Sequence, residues 1–136
     1  MELSTVTVVT TDAPYQVTIS ADTKHHWLAD EPVSAGGGDT GPSPTQLLLS
    51  SLGACTAITL QMYAGRKAWP LQRVQVALQL NPDGKPTAGH TTIARRISLE
   101  GQLSAEQRER LLQIANACPV HKLLSGEIGI HSMLTE

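Results

Sequence analysis

Two cysteines, Cys55 and Cys118, are the residues of this chain whose side chains suggest a specific chemistry. A pair of thiols can act in redox reactions, in which one sulfur is oxidised and the other then forms a disulfide with it. The two positions are too distant in the sequence for a CxxC motif or for the ligand pairs of a zinc finger. The simplest alternative is two buried thiols without chemistry, because free cysteines are often buried.

Cys118 has a local reason to be reactive. Pro119 suits the first position of a helix, so we expect Cys118 at a helix N-terminus, where backbone N–H groups favour a thiolate. His121, one helical turn further on, and Lys122 would add positive charge. Cys55 lies in an apolar segment and therefore needs a cation or a hydrogen-bond donor from elsewhere in the fold.

Two other site chemistries use the same residues. A zinc site would need Cys55, Cys118, His121 and one further histidine, and we expect no metal. A Cys–His hydrolase would pair one of the cysteines with His121, but the sequence offers no evident third member for such a site.

Length, charge and composition limit the classes of protein to consider. The chain has 136 residues, of which 40% are hydrophobic and 16% charged, and its net charge is −2. These values fit one soluble domain and give no indication of the basic surface that nucleic-acid binding requires. The N-terminus does not resemble a secretory signal, and the most apolar window, Leu47 to Leu60, is too short to span a bilayer. We therefore expect a cytoplasmic protein.

Hydrophobic periodicity and turn residues predict the elements that position these side chains. Strands are expected at 3–10, Tyr15–Ser20, Lys24–Ala29, Val74–Leu80, His90–Leu99 and Glu127–Met133. A glycine-rich loop, either a flexible connector or an active-site flap, is expected at Asp30–Gly41, and a turn at Asn81–Pro86. Helices are expected from Ser43 to about Arg66, from Ser104 to about Asn116, and from Cys118 onward. Strands in blocks separated by helices indicate an α+β protein, here a single domain over residues 1–136.

The long helix that contains Cys55 carries strong local signals. Ser43 can cap it, Pro44 suits its first position, and Gln46 stands where a capping-box partner belongs. From Leu47 to Leu60 its side chains are apolar or small nearly all round, which is typical of a helix buried on most sides. In so small a protein, that burial requires a second subunit.

Two segments around the cysteines resemble the OsmC/Ohr family. The first is Gly-Pro-Ser-Pro-Thr-Gln-Leu-Leu-Leu-Ser-Ser-Leu-Gly-Ala-Cys-Thr at 41–56, and the second is Ala-Cys-Pro-Val-His-Lys-Leu-Leu at 117–124. The stretch Met62–Leu71, followed by a valine-alternating strand, is similar to the YhfA-type branch of that family. The predicted order of elements agrees over essentially the whole chain.

The resemblance implies an OsmC-like fold in an intertwined homodimer, with antiparallel sheets wrapped around long central helices. It also implies reduction of organic hydroperoxides in oxidative stress defence, without a cofactor. By that resemblance Cys55 would attack the peroxide, Cys118 would resolve the sulfenic acid as a disulfide, and a dithiol would restore both thiols. The expected partners are thus a second subunit, a small hydroperoxide or other electrophile, and a dithiol reductant, but neither nucleic acid nor a membrane.

The sequence departs from the family where its peroxidases carry an activating pair of Glu and Arg. Thr45 and Gln46 occupy the helix start where the glutamate is found, and no arginine precedes Arg66. Losing both charges avoids an unpaired buried charge. Thr45, Gln46 and His121 remain as candidate auxiliary residues. A rival interpretation is that the fold serves as a non-catalytic dimeric binding module for a small apolar or thiol-bearing ligand.

Overall fold

The computed structural model describes residues 4–84 and 89–135 and divides the chain into two compact units, one up to Leu48 and the other from Leu49. Its strands are β1 (Val6–Thr10), β2 (Val17–Ala21), β3 (His25–Ala29), β4 (Leu71–Leu80) and β5 (Ile93–Gly101). Its α-helices are α1 (Pro44–Lys67), α2 (Ala105–Ala115) and α3 (Pro119–Ser125), and a short 3-10 helix covers Val33–Ala35. The predicted α+β class is confirmed. Leu3 of the first predicted strand and the end of the predicted turn 81–86 lie outside the described residues.

The first unit contains an antiparallel sheet in the order β1-β2-β3. Its strands pair as hairpins, with Val8 opposite Ile19 and Ile19 opposite Trp27. The loop that follows β3 is organised by Asp30, which is only 2% exposed. Its carboxylate accepts hydrogen bonds from the backbone of Glu31 and Gly38 and from both the backbone and the hydroxyl of Thr40. The predicted glycine-rich loop is therefore present and is built around a buried carboxylate.

Helix α1 begins with the predicted capping box. The Ser43 hydroxyl accepts a hydrogen bond from the Gln46 backbone, and the Gln46 side chain accepts one from the Ser43 backbone. Arg66 and Lys67 lie in its last turn, where positive charge complements the helix dipole.

The second unit packs α1 and α2 with a hairpin of β4 and β5. Within one chain α1 buries a single stripe, spaced four residues apart: Leu52, Thr56, Leu60 and Ala64. Leu60 forms the core with Leu111 and Ala115 of α2. A Cβ at Gly53 would lie 2.8 Å from Leu78 Cδ1, so glycine at that position allows α1 to approach β4 closely. The other sides of α1 are more open, and Ile58 and Met62 are 51% and 62% exposed.

Helix α1 has 24 residues and is long and apolar enough to cross a membrane by length and composition alone. The window Leu47–Leu60, which alone is too short to span a bilayer, is part of this longer helix. The core helix of a soluble protein can be equally long and apolar. Leu60 of α1 packs in such a core, against α2.

The closing strand predicted at Glu127–Met133 is wrong, because residues 127–135 adopt no regular secondary structure. A strand needs a neighbour that accepts and donates its backbone hydrogen bonds. The apolar side chains of this segment are instead turned to solvent: Ile130 is 84% exposed and Met133 is 86% exposed.

Candidate functional site

Cys118 occupies the N-cap of α3, as its sequence context predicts. Proline disfavours helical geometry in the residue before it, and Cys118 is accordingly extended, with φ −66° and ψ 141°. This conformation allows its sulfur to accept a hydrogen bond from the His121 backbone N–H, with an N to Sγ distance of 3.3 Å. The side chain is fully buried.

Cys55 comes from the middle of α1 and is half-buried. Its sulfur accepts a hydrogen bond from the backbone N–H of Val120, at 3.5 Å. The two sulfurs are therefore bound by the amides of consecutive residues, Val120 and His121, in the first turn of α3. Both cysteines are free thiols.

The structure adds a cation that the sequence analysis missed. Arg95 of β5 is half-buried, and its Nη1 donates to the Thr56 hydroxyl at 3.0 Å and to the Ala115 carbonyl at 3.4 Å. Its Nη2 donates to Asn116 Oδ1 at 3.0 Å and contacts His121 Nδ1 at 3.1 Å. One guanidinium thus joins α1, α2 and α3 beside the buried cysteine.

His121 differs from the sequence expectation. Burial, and secondarily the charge of Arg95, lower the pKa of the imidazole below its ordinary value of 6.5. A guanidinium can only donate, so Nδ1 of a neutral ring accepts from Arg95 and Nε2 carries the proton. His121 therefore contributes its backbone N–H to Cys118. The sequence had instead suggested a positively charged ring.

Thr56 connects Arg95 to Cys118. It is fully buried, and its hydroxyl donates to the Leu52 carbonyl at 2.7 Å while accepting from Arg95. The same oxygen lies 4.0 Å from Cys118 Sγ. The Thr56 hydroxyl therefore links the guanidinium of Arg95 to the sulfur of Cys118.

A cavity of about 440 Å³ lies beside this network. Arg95, Asn116 and His121 form part of its wall, together with apolar side chains from α1, β5, α2 and α3. Its volume is within the range of small-molecule sites.

The remaining predicted site residues belong to the first compact unit. Thr45 and Gln46 are exposed in the first turn of α1, in the other compact unit, and Gln46 is engaged in the capping box. Among residues 4–84 and 89–135, no group of three or more His, Cys, Asp or Glu is arranged to hold a metal ion.

Comparison with known proteins gives the family. The model of the family "OsmC-like protein" matches residues 36–132, most of the chain. The chain belongs to the OsmC family. A comparison with the curated proteins gives no significant match.

Solved structures of this family share the fold at low sequence identity. An OsmC-like protein from Mycoplasma pneumoniae is 21% identical, with a TM-score of 0.77, and the match covers 92% of this chain and 89% of that one. An organic hydroperoxide resistance protein OsmC from Legionella pneumophila is 18% identical, with a TM-score of 0.69 and coverage of 93% and 91%. An organic hydroperoxide resistance protein from Vibrio cholerae, with captopril bound in one active site, is 20% identical, with a TM-score of 0.65 and coverage of 90% and 85%.

These findings confirm the OsmC/Ohr family and the OsmC-like fold that the two cysteine segments predict.

Proposed function

We propose that this protein is a thiol-dependent redox protein that reduces small organic hydroperoxides, with Cys55 as the attacking and Cys118 as the resolving residue. The observation that carries the proposal is the binding of both sulfurs by consecutive amides of α3, Val120 to Cys55 and His121 to Cys118. N–H groups directed at sulfur stabilise negative charge on it. The greater accessibility of Cys55 suits the attack on an external substrate, and the burial of Cys118 suits an internal reaction.

The proposed reaction has three steps. The Cys55 thiolate attacks the outer peroxide oxygen, the O–O bond breaks, and the substrate leaves as an alcohol after taking up a proton. The resulting Cys55 sulfenic acid condenses with the Cys118 thiol, which forms a disulfide and releases water. An external dithiol then reduces the disulfide by thiol exchange and is itself oxidised.

Arg95 supplies positive charge in a protein that lacks the arginine and glutamate of the family's peroxidases. It contacts the Thr56 hydroxyl, and that hydroxyl lies beside Cys118. We therefore assign Arg95 as a positioning residue for Cys118, and its effect would fall on the resolving step. The contact between Arg95 and His121 also argues against a Cys–His hydrolase. Nδ1 of His121 accepts from Arg95 and Nε2 carries the proton, so neither ring nitrogen can take a proton from a thiol.

Steady-state consumption of cumene hydroperoxide with a dithiol reductant tests the proposal. We expect turnover in the wild type, none in Cys55→Ser, and in Cys118→Ser a single turnover that stops at a sulfenic acid trapped by dimedone. Unchanged turnover in Cys55→Ser would overturn the proposal.

We also propose that the whole chain is one OsmC-like domain, since α1 runs through both compact units, and that it works as a cytoplasmic homodimer. Two free thiols suit a reducing compartment. The exposed apolar side chains of α1 support a covering subunit, because monomeric proteins seldom leave extended apolar surface exposed.

The rival function, a binding module without peroxidase chemistry, is favoured by one observation: the cavity beside Arg95 is lined without either cysteine. This rival predicts slow alkylation of both thiols by iodoacetamide and no disulfide after mild oxidation. Rapid formation of a Cys55–Cys118 disulfide would count against it.

A further inference from the structure

The cavity next to Arg95 has an apolar wall and a polar wall. Leu52 of α1, Ile93 and Ile97 of β5, Leu112 of α2 and Leu124 of α3 supply the apolar wall. Arg95, Asn116 and His121 supply much of the polar wall. A ligand that fills this cavity must therefore be amphipathic, with a compact polar group and an aliphatic body.

Among the residues that the structure describes, the positive charge in the polar wall has no counter-ion. The four acceptors bound by the Arg95 guanidinium are a hydroxyl, a carbonyl, an amide oxygen and a neutral imidazole. The described residues that line the cavity include no Asp or Glu. A half-buried charge without a counter-ion is unfavourable, so an anion that enters the cavity gains electrostatic energy that an uncharged ligand of the same shape does not.

The groups around Arg95 offer donors in place of acceptors. His121 accepts at Nδ1, which leaves the protonated Nε2 as a donor. Asn116 accepts at Oδ1, which leaves its amide NH2 as a donor. One guanidinium charge with neighbouring neutral donors matches a monovalent oxyanion, and the apolar wall matches an alkyl chain.

We infer that this cavity is a binding site for a medium-chain aliphatic monocarboxylate, with the carboxylate beside Arg95 and the chain against the apolar wall. This site goes beyond the proposed redox function. It uses neither cysteine, and the carboxylate would bind whether or not the protein reduces hydroperoxides.

Isothermal titration of the reduced protein with octanoate tests the site. We expect octanoate to bind at least tenfold more tightly than octan-1-ol, which lacks the charge, and at least tenfold more tightly than acetate, which lacks the chain. The Cys55→Ser variant should bind octanoate as the wild type does, so the outcome is independent of the redox proposal. Equal binding of octanoate and octan-1-ol, or no octanoate binding to folded protein, would overturn the inference.

Matched variants locate the site. Arg95→Met should weaken octanoate binding at least tenfold, whereas Arg96→Gln should leave it unchanged, because Arg96 is the next residue of β5, is exposed, and does not line the cavity. If Arg95→Met fails to fold, Leu112→Glu serves instead. Leu112 lines the cavity yet is 53% exposed on α2, so this variant should fold and repel the carboxylate. Wild-type affinity in folded Leu112→Glu, or equal losses in Arg95→Met and Arg96→Gln, would contradict the inference.

Discussion

Thr56 contacts both the guanidinium of Arg95 and the buried sulfur of Cys118. Its hydroxyl accepts from Arg95 and lies 4.0 Å from Cys118 Sγ. Removing that oxygen while keeping the shape of the side chain separates its electrostatic role from its packing.

Thr56→Val should lower the free energy of unfolding by about 1–3 kcal/mol, because Arg95 loses a buried acceptor. Thr59→Val on the same helix is the matched control, since Thr59 is only half-buried, and it should cost less. Urea denaturation of both variants measures the difference. Equal losses in the two variants would mean that the Thr56 hydroxyl has no special role.

His121 predicts a pH dependence of stability. Its pKa is lowered in the folded state by burial and by Arg95. The unfolded state therefore binds more protons just below pH 6.5, and the free energy of unfolding falls as the pH drops from 7 towards the folded pKa. The contribution of His121 to the free energy of unfolding is fully present above about pH 6.5.

Denaturation between pH 5 and 7 should show a flatter profile in His121→Asn, which retains an acceptor for Arg95 but does not titrate. His131→Asn, in the exposed C-terminal segment, is the control and should keep the wild-type slope. Parallel slopes in wild type and His121→Asn would contradict the assignment.

Of the residues in the candidate site, the sequence predicts Cys55, Cys118 and the position of Cys118 at a helix N-cap, but not Arg95. The sequence did contain a signal for Arg95, which alternates with Ile93, Ile97 and Leu99 along one strand. In the structure Arg95 pairs with Leu78 of β4. An arginine in a row of inward-facing apolar residues indicates a charge that a fold must satisfy internally. Which groups satisfy it could not be predicted, because its partners come from three different helices.

At the scale of elements, the loop after β3 depends on one carboxylate. Asp30 gathers N–H and O–H donors from Glu31, Gly38 and Thr40. The hydroxyl of Thr40, followed by backbone N–H donors, holds the pKa of Asp30 below its ordinary value even though burial opposes this. The ionised form is thus the one that organises the loop.

Asp30→Asn should loosen this loop, because an amide presents one oxygen in place of two and directs N–H groups at donors. We expect faster hydrogen exchange at the amides of Gly38 and Thr40 and faster proteolytic cleavage in the loop. Asp39→Asn removes the same charge from an exposed position of the same loop and should change neither. Exchange rates that are equal in the two variants would refute this role of Asp30.

The elements that could be predicted are those with local signals. The capping boxes at Ser43 and Ser104 both form, and α3 begins at Pro119. The predicted closing strand at Glu127–Met133 had only alternation to support it. Alternation identifies a face but not a neighbour, and within one chain this segment adopts no regular secondary structure.

For the whole molecule, the composition of α1 is the strongest guide to assembly. The helix is apolar on nearly all sides, yet one chain buries only the stripe through Leu52 and Leu60. The apolar residues Ile58 and Met62 remain more than half exposed. The sequence predicts the surplus of apolar surface, but what covers it depends on a second molecule, which periodicity cannot identify.

Met62→Glu should therefore dissociate the proposed homodimer, because it would place a charge in a desolvated apolar interface. Gln61→Glu is the control: it adds the same charge at the preceding, exposed polar position of α1 and should leave the assembly intact. Sedimentation equilibrium should give a dimer mass for the wild type and for Gln61→Glu, and a monomer mass for folded Met62→Glu. A monomeric wild type at micromolar concentration would rule out the homodimer. A dimer in folded Met62→Glu would instead show that the interface excludes this face of α1.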